Sequence, residues 1–221
     1  MVDHGILILN IMEKFFHSKR KEIIIIMCEK PIEEIEYKGY TINVYIDDMD
    51  AESPREWEPI SKMICFHGRY DLGDKHSFNN DQFDNWDEVE KFLTKEYNPA
   101  IILPLYLYDH SGITISTAPF SCPWDSGQVG FILVPKENLL KEFGGKRMTK
   151  KLKEKALNIA LGDVEVYDQY LRGEVYGYVV TKNGEDFDSC WGYYGYDFEI
   201  SGLLDEAKST IDYLCEERKE A

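Results

Sequence analysis

Of the 221 residues, 41 are Asp or Glu and 25 are Lys or Arg, a net charge of −16. That length suits one large domain or two small ones, and 43% apolar with 14% aromatic residues is too much for a disordered chain. The charge excludes simple electrostatic attraction to nucleic acid or an anionic membrane; it leaves a basic partner, or none that is charged.

Residues 1–21 stand apart as an N-terminal extension. An apolar stretch at 6–12 is followed by the basic cluster His17-Ser18-Lys19-Arg20-Lys21, the pattern of a frayed helix. The start Met1-Val2-Asp3-His4 lacks the basic region of a signal peptide, and no apolar run reaches the roughly 18–20 residues of a membrane span. Cys28, Cys65, Cys122, Cys190 and Cys215 are odd in number and form no CxxC pair. They read as reduced thiols, not as a disulfide framework or a zinc site. A cytoplasmic protein is expected, with one domain over 22–221.

Residues 22–28 are a β-branched run and Tyr40–Ile46 alternates, so the two are expected to pair through 33–38 and Gly39. Across 47–97 fourteen acids face six bases, half of the whole negative excess. Within that stretch Ser53-Pro54-Arg55-Glu56 predicts a helix start, with Ser as cap, Pro at the first position and Glu at the third. A short buried strand is expected at 63–67, and an amphipathic helix at 84–96 carrying Trp86, Val89, Phe92 and Leu93.

The densest strand signal lies at 100–134. Runs at 101–108 and 113–117 flank Asp109-His110-Ser111-Gly112, which has hairpin-turn composition. An irregular loop at 119–127 then leads to a strand at 128–134. A short helix over 135–143 stops at Gly144-Gly145. Thr149 caps a longer one whose Leu152, Ala156, Ala160, Val164, Tyr167 and Leu171 recur at helical spacing before Gly173 ends it. Strands at 174–182 and 187–194 flank Asn183-Gly184, and an amphipathic helix over 203–217 closes the chain. Hairpins and helices without βαβ alternation predict an α+β fold: a mixed or antiparallel sheet built from hairpins, with amphipathic helices packed on it.

Phosphate-loop, dinucleotide, zincin and nucleophile-elbow motifs are all missing, so no cofactor is assigned. Gly144-Gly145-Lys146-Arg147 reads as a helix stop in preference to an anion cradle. Catalytic candidates are Cys122, His110 and Asp109, with His67 and Asp125 as alternates. A thiol nucleophile needs a base to ionise it and a carboxylate to orient that base; the same Cys-Pro-Trp context also suits a packed loop. Asp109, His110, His67, Asp71 and Asp74 offer oxygen and imidazole ligands of the kind that hold Mg, Mn or Zn, although Asp109 in a turn also serves as a backbone acceptor. Binding candidates are Asp71, Asp74, Asp81 and Asp84 of the acidic stretch, with Trp191, Tyr193 and Tyr194 of the aromatic hairpin. Tyr and Trp are hot-spot residue types, and a packed hairpin accounts for them equally well. The acids around them disfavour base stacking. One stretch, 141–155, runs the other way with seven bases against two acids, and reads first as a solvated face.

Five strings carry a resemblance: Ser53-Pro54-Arg55-Glu56-Trp57, residues 67–74 (HGRYDLGD), Tyr108-Asp109-His110-Ser111-Gly112, residues 120–130 (FSCPWDSGQVG) and residues 188–195 (DSCWGYYG). Over 40–195 the chain resembles a family of uncharacterised proteins found mainly in phages and mobile elements. No catalytic role comes with that family. The resemblance implies a genetic context in which small accessory proteins block host defences, often by binding a nucleic-acid-handling enzyme. The leading expectation is therefore an acidic protein that binds the basic surface of a host protein, without binding nucleic acid or membrane itself. Its carboxylates would mimic phosphates in a nucleic-acid channel. The alternative is a Cys/His/Asp-based or metal-dependent enzyme acting on a small or modified substrate.

Overall fold

The computed structural model describes residues 30–48 and 51–220. The extension at 1–21 and the strand expected at 22–28 lie outside the described residues. In chain order the elements are β1 (Glu33–Tyr37), β2 (Tyr40–Ile46), β3 (Lys62–Cys65), α1 (Trp86–Tyr97), β4 (Pro99–Asp109), β5 (Ile113–Ser116) and β6 (Ser126–Pro135). There follow α2 (Lys136–Phe143), α3 (Lys150–Leu171), β7 (Val175–Lys182), β8 (Glu185–Tyr194) and α4 (Leu203–Glu220). Short 3-10 turns form at Pro54–Trp57 and Asn80–Gln82. The fold is α+β, with two four-stranded antiparallel sheets where one was expected.

Contacts gather in two compact units. One runs to Ala51 and resumes at Val175; the other is Glu52–Glu174, a continuous block within the first. A single domain over 22–221 was the sequence expectation. Composition could not reveal the division, because no low-complexity linker marks either crossing.

The first unit has strand order β1-β2-β7-β8. Both of its hairpins turn on residues with positive φ, Lys38-Gly39 (48° and 76°) and Asn183-Gly184 (54° and 81°). That is the backbone of the tight turn whose twist matches the strands. Residues 33–37, expected to be connector, are thus the strand that pairs with β2, Glu33 opposite Val44 and Tyr37 opposite Tyr40. Tyr40, Ile42 and Val44 of β2 share one sheet face with Tyr176, Tyr178 and Val180 of β7. Helix α4 covers that face with Leu203, Leu204, Ala207 and Ile211.

The second unit has strand order β3-β6-β4-β5 and is buried on both faces. Side chains alternate across a strand, so Ile132 and Val134 of β6 point to one side and Phe131 and Leu133 to the other. On the first side lie Met63, Cys65, Leu105 and Leu107, covered by Leu139 of α2 and by Ala156, Ala160, Val164 and Tyr167 of α3. On the second lie Ile64 and Ile102, covered by Val89 and Leu93 of α1 within a shell of Phe66, Phe78, Phe83 and Trp86. This gives three layers, helix on sheet on helix, which is why β6 reads as an unbroken apolar run and not as an alternation. Thr149 caps α3 as the sequence announces, and Asn85, which the sequence pattern did not single out, caps α1. Asn85 accepts from the Glu88 amide, and Thr149 from the Leu152 amide, both through the side chain.

The Ser53 start is real but short. Its hydroxyl accepts from the Arg55 amide, and the turn ends at Glu58, which has φ 51° and is followed by Pro59. Proline disfavours helical geometry in the residue before it.

Close packing of β3 on β6 depends on Gly130: a Cβ there would lie 2.0 Å from the Ile64 carbonyl oxygen, whereas at Gly127 nothing stands within 4 Å. Gly130→Ala is expected to lower unfolding free energy by about 1–3 kcal/mol or more through forced backbone movement. Gly127→Ala is expected to change it by less than about 0.5 kcal/mol; urea unfolding of the two variants checks both.

Candidate functional site

The turn after β4 and the loop at 119–127 come together, but not with the partners a thiol nucleophile needs. The Asp109 amide donates to the Asp125 carbonyl oxygen at 2.8 Å, which holds the loop against the turn. The Asp109 carboxylate is taken by Arg69, whose guanidinium it pairs with, and by the Tyr70 hydroxyl at 3.1 Å. His110 Nδ1 lies 3.3 Å from Asp125 Oδ2, and Cys122 Sγ donates to the same oxygen at 3.5 Å. The order is therefore thiol, carboxylate, imidazole. A cysteine nucleophile needs the imidazole beside the thiol and the carboxylate behind it. Here Asp125 stands between them, and Asp109 orients an arginine in place of a histidine. His67 turns its Nδ1 to its own loop, accepting from the amides of Arg69 and Tyr70 at 3.3 and 3.2 Å, and stacks on Tyr70.

Trp124, at the tip of the loop, is 91% exposed. It rims a cleft of about 320 Å³ that also takes in His67, Arg69 and Asp125. The loop composition placed it in irregular structure; nothing in the sequence distinguished it from a packed tryptophan.

Asp74 is not a surface carboxylate. It receives Arg55 Nε at 2.7 Å and a second guanidinium nitrogen at 3.1 Å, and its Oδ2 also accepts the Met63 amide at 3.0 Å. The Arg55 side chain is 4% exposed. Its remaining donors reach the Ser61 hydroxyl and carbonyl oxygens, both at 3.1 Å. Ser61 in turn donates to Asp163 Oδ2 at 2.5 Å. Burial pushes the Asp163 carboxyl above its ordinary value of 3.8, against the opposing pull of Ser61 and Arg55. Tyr167 accepts the Gly73 amide at 2.8 Å, and burial carries its phenol up to about 12. Burial likewise carries the neighbouring Cys65 thiol up to about 12, which leaves it inert at neutral pH. A cleft of about 770 Å³ opens over this network between Lys62, Lys75 and Tyr170. No local pattern in the sequence marks this network, since its members are spread from Arg55 to Tyr167.

A third cleft, of about 480 Å³, lies along Cys65–Asn80 between His67, Tyr70, Phe78 and Asn79. His76 Nε2 stands 2.8 Å from the Cys65 carbonyl oxygen. A carbonyl only accepts, so that nitrogen carries the proton, and buried Nδ1 is left without a partner. Asp71 is exposed and lines both this cleft and the one of about 770 Å³.

The aromatic candidates belong to the first unit. Trp191 lies flat over Gly177, where a Cβ would come within 2.2 Å of the indole, and beside Tyr45 at 6.2 Å between ring centres. Tyr193 packs on the α4 face beside Tyr178, 5.9 Å between centres, and burial raises its phenol. Tyr194 is half-buried. Sheet packing accounts for Trp191 and Tyr193, and the exposed tryptophans among the described residues are Trp57 and Trp124.

What the structure leaves open to solvent is an acidic surface at the start of α1. Asp81, Asp84, Asp87 and Glu90 are exposed and have no ion-pair partner among the described residues. Glu88 alone is occupied, accepting the Asp84 amide at 3.0 Å at the helix entry. Carboxylates suit that positive helix end. The bases of 141–155 lie on α2, on α3 and in the loop that joins them, and those two helices form the opposite outer layer of the same unit.

Among the described residues no group of three or more His, Cys, Asp or Glu is placed to hold a metal ion, so Asp109, His110, His67, Asp71 and Asp74 do not converge on one. No described helix is long and apolar enough to cross a membrane. No family model, curated protein or solved structure matches the chain.

Removing the Asp74 charge strands a buried guanidinium. Asp74→Asn is expected to cost about 3–5 kcal/mol of unfolding free energy, read by denaturant titration at neutral pH. Asp163 leaves a pH signature in the stability. Its folded form holds a proton at pH values where the unfolded carboxyl has lost it, so stability falls as pH rises through the folded titration and is regained as pH falls towards the ordinary range near 3.8. Asp163→Asn is expected to flatten that acid-side gain in a series of unfolding curves.

Proposed function

We propose that this chain is an acidic accessory protein of a phage or mobile element that works by binding, not by catalysis. The carboxylates at the start of α1 engage the basic surface of a host protein. On this reading the surface is a nucleic-acid channel, and its occupation inhibits a nucleic-acid-targeting defence system in the host cytoplasm. The observation that carries the reading is the free state of Asp81, Asp84, Asp87 and Glu90. They are exposed, have no ion-pair partner among the described residues, and share one outer layer, where acids outnumber Lys91 and Lys95 of α1, with the basic stretch 141–155 in the other. Rim charges of this kind steer an oriented encounter more than they add affinity. The resemblance over 40–195 supports the genetic context. An enzyme built on Cys122, His110 and Asp109 is the weaker reading, because the thiol meets the Asp125 carboxylate in place of an imidazole.

The test is capture of partners from a host extract on the immobilised full chain, followed by elution with duplex DNA. DNA is expected to displace the captured protein, and added salt to weaken capture by screening. Joint neutralisation, Asp81→Asn with Asp84→Asn, Asp87→Asn and Glu90→Gln, should reduce recovery at least tenfold, whereas Cys122→Ala and His110→Ala leave it unchanged. Capture indifferent to salt, to DNA and to the neutralised surface would sink the reading.

A further inference from the structure

Helix α3 carries its charges against its own dipole. Lys150, Lys151, Lys153 and Lys155 crowd its first turns against the single acid Glu154, while Asp163, Glu165 and Asp168 occupy its second half. The first turn has no acid and the last no base. Aligned peptide dipoles leave the helix start positive and its end negative, so this arrangement is unfavourable in an isolated helix. Two of the acids have local work: Asp163 accepts from Ser61, and Asp168 takes the Ile115 amide and Arg172. Lys153 and Glu165 are exposed and have no ion-pair partner among the described residues.

These two residues end a single row at four-residue spacing: Lys153, Leu157, Leu161, Glu165. Its middle members are leucines 36% and 42% exposed. Rows of this spacing are the ridges by which helices interlock, crossing at about −50° with axes about 8–10 Å apart. The adjacent row is Glu154, Asn158, Gly162. Nothing stands within 4 Å of where a Gly162 Cβ would project, so the groove between the rows is open.

We propose that the chain forms a two-fold symmetric homodimer through this ridge of α3. With the axis between Leu157 and Leu161, Leu157 meets the partner's Leu161, and Lys153 meets the partner's Glu165 at both ends. The basic half of each helix then lies over the acidic half of the other, which supplies the compensation that the helix lacks alone. A two-fold interface requires such a self-complementary patch. The contact also takes in part of the basic stretch 141–155, which offsets some of the repulsion between two chains of charge −16. The proposal is independent of the binding reading above, which concerns the other outer layer.

The test is sedimentation of the full chain across micromolar to millimolar concentration. Wild type should approach twice the 25.8 kDa chain mass. Leu161→Arg should leave a monomer. Lys153→Glu and Glu165→Lys should each weaken dimerisation at least about tenfold, by turning attraction into like-charge contact at both ends. The two together should restore it to within about threefold, because the swapped pair keeps its register. Circular dichroism checks that each variant stays folded, with Leu157→Ser as the second apolar probe should Leu161→Arg unfold. Wild type that is monomeric throughout, a dimer that survives both apolar changes, or a double swap that fails to restore association overturns the proposal. So does a monomer whose capture of a host protein is lost on changing Leu157 or Leu161, which would give the ridge to another partner.

Discussion

A guanidinium withdrawn from water has to be met on nearly every donor, and the second unit is organised around meeting one. Arg55 sits in a single 3-10 turn with no helix to anchor it. Asp74 grips it with two oxygens while also accepting the Met63 amide, and the Asp74 amide donates back to the Met63 carbonyl oxygen at 2.7 Å. The planar fork of arginine suits this two-point contact, which a lysine could not reproduce. The consequence reaches past the pair. Residues 67–74 are strapped along β3, the end strand of its sheet, with a bridge between Ile64 and Gly73. An edge that would otherwise offer unpaired amides is covered by the chain itself. Ser61 and Asp163 extend the same network to α3, so turn, strap, edge strand and helix share one polar centre beneath the apolar layers.

The strands and helices were largely legible because their signals are local. Asn183-Gly184 announces a tight hairpin, and Thr149 a helix start. The spacing of Ala156, Ala160, Val164 and Tyr167 marks the buried side of α3. Lys38-Gly39 makes the same turn as Asn183-Gly184 but without the residue that favours left-handed backbone, and three acids in 33–37 hide a strand at the edge of its sheet. What the sequence withheld was pairing at a distance. Asp71 and Asp74 stand three residues apart in one string, yet one is free and the other is consumed by an arginine nineteen residues earlier. At the 119–127 loop the residue types were the expected ones, and a single backbone bond from Asp109 to Asp125 settled which carboxylate serves His110.

Charge in this chain is better described by layer than by total. The acids of 47–97 are of two kinds. Asp47 and Asp74 are tied into the fold, and the group at the start of α1 is left facing solvent. Because the sheet of the second unit is apolar on both faces, nothing polar crosses it to neutralise one outer layer against the other. A thin hydrophobic slab keeps the two apart, so the acids at the start of α1 and the basic stretch 141–155 face away from each other.

The discontinuity of the first unit bears on how the protein is made. Its β1–β2 hairpin leaves the ribosome early, but β7, which pairs with β2 from Thr41 to Ile46, follows only after the whole of Glu52–Glu174. At about 5–20 residues per second that wait is on the order of ten seconds. A lone two-stranded hairpin is at best marginally stable, while the intervening block has its complete core as soon as α3 emerges. Synthesis therefore imposes an order on folding: the inner block first, then closure of the outer sheet around a loop that has already become compact. During that interval β2 keeps one edge unpaired and Tyr40, Ile42 and Val44 uncovered, surface that a chaperone could shield.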